Sequence, residues 1–331
     1  MTVEPITLKN LVRMWVDIDQ VRNKQRRRVL KDLNRLVLCE IGHMDVRDIR
    51  RSTIMRVLDK VAVDRPVMAN RLFAYLRRCF MWSYEREIIP TDPLFAARRP
   101  AKERPRQRVL DDLELSMLWW ASDSDLLRSD IGDLFKLLVL TGCRRSEIGG
   151  LRFHEVKFFE DKNKAHIHLP ASRDKTGNER RIPLVETARK IVAKRMKIAL
   201  ENEGYLFGRG KGGFGAYSSG KRQLDIIVAR LFKCTIPDWT LHDIRRTVAT
   251  GLQKLGVKLE VTEAVLGHRS GSRSGIVAVY QTYGYEKEKR EALREWENHV
   301  LSICQEVPPL QNHKYTRRCP EGSSRRRSRT E

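Results

Sequence analysis

The chain has 331 residues and a mass of 38.6 kDa, enough for two ordinary domains. Lys and Arg number 65 against 42 Asp and Glu, a formal charge of +23 with an isoelectric point near 10.1, so the expected partner is a polyanion, nucleic acid ahead of an anionic membrane surface. No run of about 18 apolar residues is present to span a bilayer, Glu4, Asp17 and Asp19 break any signal-peptide pattern, and the six cysteines show neither a CxxC pair nor zinc-ligand spacing. The cysteines read as reduced thiols of a cytosolic protein.

Residues 1–97 read as an all-helical domain of four or five helices. Leu8, Leu11, Val12 and Trp15 recur at spacings of three and four, the period of one helical face. Val29, Leu30, Leu33, Leu36 and Val37 repeat that pattern. A third helix is predicted over residues 53–62, and a fourth from Pro66 through Leu72, Leu76 and Phe80 to Trp82. Arg22, Lys24, Arg26, Arg27 and Arg28 put five basic residues in seven, and Arg71, Arg77 and Arg78 follow on the fourth helix. Such runs are usually solvated faces. As phosphate contacts they would supply affinity without sequence preference.

Residues 98–109 are rich in Pro and Arg and suit neither helix nor strand. They are read as an interdomain linker, whose Arg98, Arg104 and Arg106 favour a segment lying against DNA. The second domain, residues 110–308, opens on an Asp111–Glu114 capping box ahead of Leu115, Leu118 and Trp119. A helix over residues 131–140 precedes two short strands, 166–170 and 180–184, joined by a turn at Lys175-Thr176-Gly177-Asn178. A helix over 185–201 follows. Residues 204–220 hold seven glycines but no Gly-Lys-Ser/Thr after a strand, and so read as a flexible connection rather than a phosphate cradle. Further helices are predicted over 223–234, 242–255, 259–266 and 286–302. Residues 309–331 read as a basic, disordered tail that adds nonspecific DNA affinity. The fold class is therefore mainly α with a small antiparallel β-sheet.

Four segments carry candidate chemistry. In Thr141-Gly142-Cys143-Arg144-Arg145-Ser146-Glu147 a Thr-Gly break ends an apolar helix and sets Arg144 at the start of a new one. In Ser172-Arg173-Asp174-Lys175-Thr176-Gly177 a hairpin lysine can swing into a cleft. In Leu241-His242-Asp243-Ile244-Arg245 the His and Arg share one helical face, so one can exchange a proton while the other clamps an oxyanion. In Val265-Leu266-Gly267-His268 a glycine break presents an imidazole, and Tyr280 follows after a short apolar run. Each segment alone is ambiguous between a site and an ordinary surface.

Their order resembles that of the tyrosine recombinase (phage integrase) family, and more closely the prophage and genomic-island integrases, whose C-terminal segment looks like Gly267 to Gln281 with Glu288 to Leu293 and Trp296. The likeness covers residues 7–302. It implies a helical core-type DNA-binding domain, a catalytic domain, and cleavage and rejoining of DNA through a 3′-phosphotyrosyl intermediate that integrates or excises a mobile element. On this resemblance Tyr280 attacks, Arg144 and Arg245 hold the non-bridging oxygens, and Lys175 protonates the departing 5′ oxygen. His242 assists proton transfer, His268 donates to the phosphate, and Glu147 orients Arg144 or His242. No cofactor and no metal is implied, because the covalent link conserves the energy of the broken ester. Implied partners are double-stranded attachment sites, a tetramer of the chain clamped on DNA, and DNA-bending accessory proteins, with no membrane. The implied location is the cytoplasm, at the nucleoid. A C-terminal helix would dock on a neighbouring protomer through Leu293, Trp296 and Val300, or else pack on its own domain. The arm-binding module that often precedes the core-binding helices would be absent. Two rival readings stand beside the recombinase: a catalytically silent DNA-binding regulator with the same charge and scaffold, and a type IB topoisomerase-like enzyme that shares the arginine, lysine, histidine and tyrosine chemistry. Tyr280 and Arg245 argue against the first, and the Leu-Gly-His element against the second.

Overall fold

The computed structural model describes residues 5–103, 105–161, 164–174, 177–199, 204–208, 212–268 and 283–308. The chain divides between Arg106 and Gln107 into two units.

In the first unit, α1 (Leu8–Ile18) starts at Thr7, whose side-chain oxygen accepts from the Asn10 backbone N–H and so satisfies one orphan donor of the first turn. α2 (Arg26–Leu33) runs through a π-helical turn, Asn34–Leu38, into α3 (Cys39–Ile41). The wider turn resets the apolar register, so that Val37, Leu38 and Ile41 are all buried. α4 (Arg51–Asp64) outruns its predicted span at both ends. α5 (Pro66–Tyr84) begins on a proline whose missing N–H costs nothing there. Trp15, Leu33, Ile54, Leu58, Leu72 and Phe80 form the core of the unit. Arg22, Lys24, Arg26, Arg27 and Arg28 are exposed, as are Arg77, Arg78, Arg98 and Arg106, while Arg71 is half-buried. Arg104 and the tail lie outside the described residues.

In the second unit, α6 (Asp112–Ser122) carries the expected box: Glu114 N donates to Asp111 Oδ1 at 2.8 Å, and Asp111 N donates to Glu114 Oε2 at 3.0 Å. α7 (Ser129–Thr141) is buried along its whole length, a central helix with neighbours on every side. α8 (Arg145–Gly149) follows the Thr-Gly break. β1 (Val156–Lys157), β2 (His166–Leu169) and β3 (Arg180–Pro183) form an antiparallel sheet in that order, with Ile167 opposite both Val156 and Ile182. α9 (Glu186–Ala199), α10 (Tyr217–Phe232), α11 (Leu241–Lys254), α12 (Leu259–Leu266) and α13 (Glu286–Glu306) complete the unit.

Two expectations need correction. α10 opens at Tyr217, inside the stretch read as loop. Gly220 lies in its first turns because an added Cβ would sit 3.1 Å from Ile131, so the glycine serves close helix packing and not flexibility. The C-terminal helix does not offer Leu293, Trp296 and Val300 to a neighbour. All three are buried in the core of their own unit, and the Trp296 indole donates to Val139 O at 2.8 Å.

Candidate active site

Two helices of the second unit end on glycines in the left-handed region, Gly142 (φ 62°) after α7 and Gly267 (φ 65°) after α12. A side chain at either position would be strained, and neither site has room for one. A Cβ on Gly142 would meet Leu266 at 2.9 Å and Val248 at 3.1 Å. One on Gly267 would meet the Arg180 side chain at 2.8 Å. The ends of α7 and α12 are thus brought against α11 and against each other.

Arg245 of α11 fills the junction. Its Nη1 donates to Gly142 O at 2.8 Å and its Nη2 to Leu266 O at 2.5 Å, and the residue is 3% exposed. Both acceptors lie at helix C-termini, where the backbone dipole concentrates negative charge. Burial, then repulsion from Arg144, pushes the Arg245 guanidinium down to about 10, so it stays charged at neutral pH. Each Nη has two N–H groups, and the carbonyls use one apiece.

Arg144 caps α8 from outside its first turn. Glu147 takes both ends of it: Oε2 accepts from the Arg144 backbone N–H at 2.8 Å, and Oε1 from Nη1 at 2.6 Å. Asp174 Oδ1 accepts from the same Nη1 at 3.2 Å. Among the described residues these are the guanidinium's hydrogen bonds, and they leave Nη2 and Nε available to a ligand. Glu147 therefore orients Arg144; its hydrogen bonds go to the two arginines of this network and not to His242.

A third arginine stands behind the first two. Arg180, the first residue of β3, donates from Nη2 to Glu147 Oε2 at 2.7 Å and from Nη1 to Val265 O at 3.0 Å, and its Nε lies 3.6 Å from Asp174 Oδ2. Burial opposes its charge, but Cys143, Glu147 and Asp174 together outweigh burial and hold it above the usual arginine value. Arg173 ties the same hairpin to α8 by donating to Glu147 O at 2.8 Å, and it pairs with Glu155. The network sets three guanidinia against two carboxylates. Its surplus positive charge suits a monoanionic phosphodiester.

His242 and His268 lie at the exposed rim. Partial loss of water around each ring depresses both imidazoles below their ordinary 6.5. Arg246 and Arg245 add to the effect at His242, and Arg245 and Arg144 at His268. Both rings are therefore neutral at pH 7, and Arg245 and Arg144 act on both. Arg144, Glu147, His242, Arg245 and His268 are thus brought together from three separate stretches of chain. Lys175 and Tyr280 lie outside the described residues.

The sequence reading did not single out Arg180 or Asp174. Arg180 could have been found: strand alternation puts it on the same face as Ile182, and a charged residue at an inward strand position needs a buried partner. Asp174 gave no comparable signal, being one acid in a basic loop.

The model of the Phage integrase family matches residues 108–282, and that of the Phage integrase central domain matches residues 8–100. Prophage integrase IntF of Escherichia coli (strain K12) is 24% identical over 249 residues, which is 72% of this chain and 49% of that protein. The chain thus spans about half the length of this curated relative. Among solved structures, a lambda integrase tetramer bound to a Holliday junction superposes with a TM-score of 0.65 at 16% identity, over 84% of this chain and 78% of that one. The Tn1549 transposon integrase in complex with circular intermediate DNA gives 0.61 at 17% identity, over 86% and 98%. At these identities the structural likeness speaks for the fold.

Proposed function

The chain belongs to the phage integrase family, and on that footing we propose that it is a site-specific DNA recombinase that breaks and rejoins DNA through a phosphotyrosyl link. The observation that carries this reading is the convergence of two arginines, Arg144 and Arg245, with two imidazoles, His242 and His268.

In this reading the scissile phosphate sits between Arg144 and Arg245, whose planar forks match its non-bridging oxygens in a way a lysine would not. Because Glu147 and the two helix-end carbonyls already fix these guanidinia, little reorganisation is needed as negative charge builds up on phosphorus. Tyr280 attacks: its O–H bond breaks, the proton passes to neutral His242, and a bond forms from phenolic oxygen to phosphorus. The bond to the 5′ oxygen breaks, and Lys175 supplies its proton. His268 donates its ring N–H to the phosphate. Rejoining is the reverse, with a 5′ hydroxyl as nucleophile. The chemistry of this sequence needs no cofactor, since the phosphotyrosyl bond conserves the ester's energy.

The first unit is assigned as the core-site DNA-binding domain and residues 98–109 as a linker along DNA. The working form is a tetramer on two duplexes, an assignment supported by the tetrameric state of the lambda relative. DNA-bending proteins assist, and the protein resides at the nucleoid. Among the described residues no helix is long and apolar enough to cross a membrane.

The test is covalent capture. A duplex cut from the DNA flanking the gene, nicked close to the cleavage point, should yield a denaturation-resistant protein–DNA adduct whose mapped peptide contains Tyr280. Tyr280→Phe removes one oxygen, so it should bind the duplex normally and give no adduct. Tyr283→Phe and Tyr285→Phe should still form it. Normal binding by the wild-type chain with no adduct on any flanking duplex would favour the silent regulator instead.

A further inference from the structure

We propose that Arg180 is a positioning residue for strand cleavage, a buried fork that sets the three catalytic segments of the site in one frame; the inference rests on the recombinase reading above.

Two hydrogen-bond acceptors and one ion-pair partner, in three directions, define the role. Nη2 holds Glu147, the carboxylate that fixes Arg144. Nη1 holds Val265 O, in the last turn of the helix that delivers His268. Nε faces Asp174, which also binds Arg144 and immediately precedes Lys175 in sequence. A guanidinium can address all three at once, whereas an ammonium has no fixed fork with which to do so. The side chain is 6% exposed, and its hydrogen bonds go to protein, so Arg180 acts through its neighbours and not on substrate.

The absence of a side chain at Gly267 belongs to the same arrangement. The Arg180 stem occupies the space a Cβ would need there, so the Leu-Gly-His break admits Arg180 as well as turning the chain. Folding alone does not call for this cluster. Buried ionic groups of this kind are often replaceable by apolar residues at no loss of stability. Placing reacting groups is different, because a misplacement of about 1 Å can cost 10²-fold in rate.

The test is a double-mutant cycle on the full chain. The probe is the nicked duplex from the gene's flanking DNA, and the readouts are equilibrium affinity and the single-turnover rate of adduct formation at saturating duplex. Arg180→Met should slow adduct formation by about 10²-fold with little change in affinity. In an Arg144→Ala background the same substitution should cost far less, because the group it chiefly positions is gone. Arg180→Lys keeps the charge and loses the fork, so it should recover melting temperature without recovering rate; it also carries the test if Arg180→Met does not fold. Equal losses in both backgrounds, parallel losses of rate and affinity, or recovery of rate together with stability in Arg180→Lys would overturn the proposal. A wild-type chain that forms no adduct would overturn the recombinase reading itself, a result distinct from an active wild type matched by Arg180→Met.

Discussion

In the first unit Arg22, Lys24, Arg26, Arg27 and Arg28 stand in solvent, whereas in the second Arg180 and Arg245 are almost wholly buried and Arg144 is mostly covered. The exposed set has little to hold it: Arg28 reaches Asp32 only at 3.7 Å. Three of its members occupy the first turn of α2, which holds no acid and where the helix dipole is already positive. The buried set is fixed by carboxylates and helix-end carbonyls at hydrogen-bond distance. On the proposed function, basic side chains do two jobs. Exposed guanidinia hold a polyanion from many angles at no cost in specificity. Buried ones are aimed, and aiming takes fixed partners. The first job should answer to salt and the second to geometry.

The largest effect that could break this division is ionic. If six to ten phosphates are contacted, duplex affinity should fall roughly 10³–10⁵-fold between about 50 and 200 mM salt. The single-turnover rate on saturating duplex should change little over the same range, since the partners of the aimed arginines are largely shielded from solvent. A flat binding titration, or a rate that falls as steeply as the affinity, would erase the distinction.

A smaller effect concerns protons. His242 and His268 are both held below 6.5 in the folded chain. The unfolded chain therefore binds protons first as pH drops, and stability conferred by the neutral rings is present above about 6.5 and lost below it. Denaturant titrations of the free protein should show stability declining from pH 7 toward pH 5, with a shallower decline in His242→Gln and His268→Gln. A phosphate among these groups reverses the sign, because its negative charge favours the imidazolium. Duplex binding near pH 6 should therefore take up protons, measurable by calorimetry in buffers of different ionisation enthalpy. Proton release would contradict the placement of the phosphate.

The sequence made much of this architecture legible, and the reason differs by element. Helix starts were readable where a side chain caps them, as at Thr7 and at Asp111 with Glu114. Helix ends were readable at Gly142 and Gly267, because few residues other than glycine tolerate the left-handed turn. β1 was not readable: two residues are too few to show alternation, and it forms only by pairing with β2. The start of α10 was masked by Gly220, a glycine required for packing against Ile131, and α13 outran its predicted end. In the site, the residues proposed to touch the phosphate sat in short motifs. Arg180 and Asp174 did not, because their role depends on contacts with segments distant in sequence, which no local pattern encodes.

The most direct measurement compares the two sets of arginines on one nicked duplex from the gene's flank, recording affinity, adduct rate and melting temperature for Arg144→Ala, Arg245→Ala and the triple variant Arg26→Ala, Arg27→Ala, Arg28→Ala. The account predicts that the first two lose about 10³-fold or more in rate with little loss of affinity. Arg245→Ala should also melt lower, since two buried helix-end carbonyls lose their donor. The triple variant should lose affinity and salt sensitivity, keep its rate once saturated, and melt slightly higher because the start of α2 is relieved of like charge. If Arg144→Ala and Arg245→Ala lose affinity and rate in equal measure, or if the triple variant slows the chemical step at saturation, the division between holding and aiming is wrong.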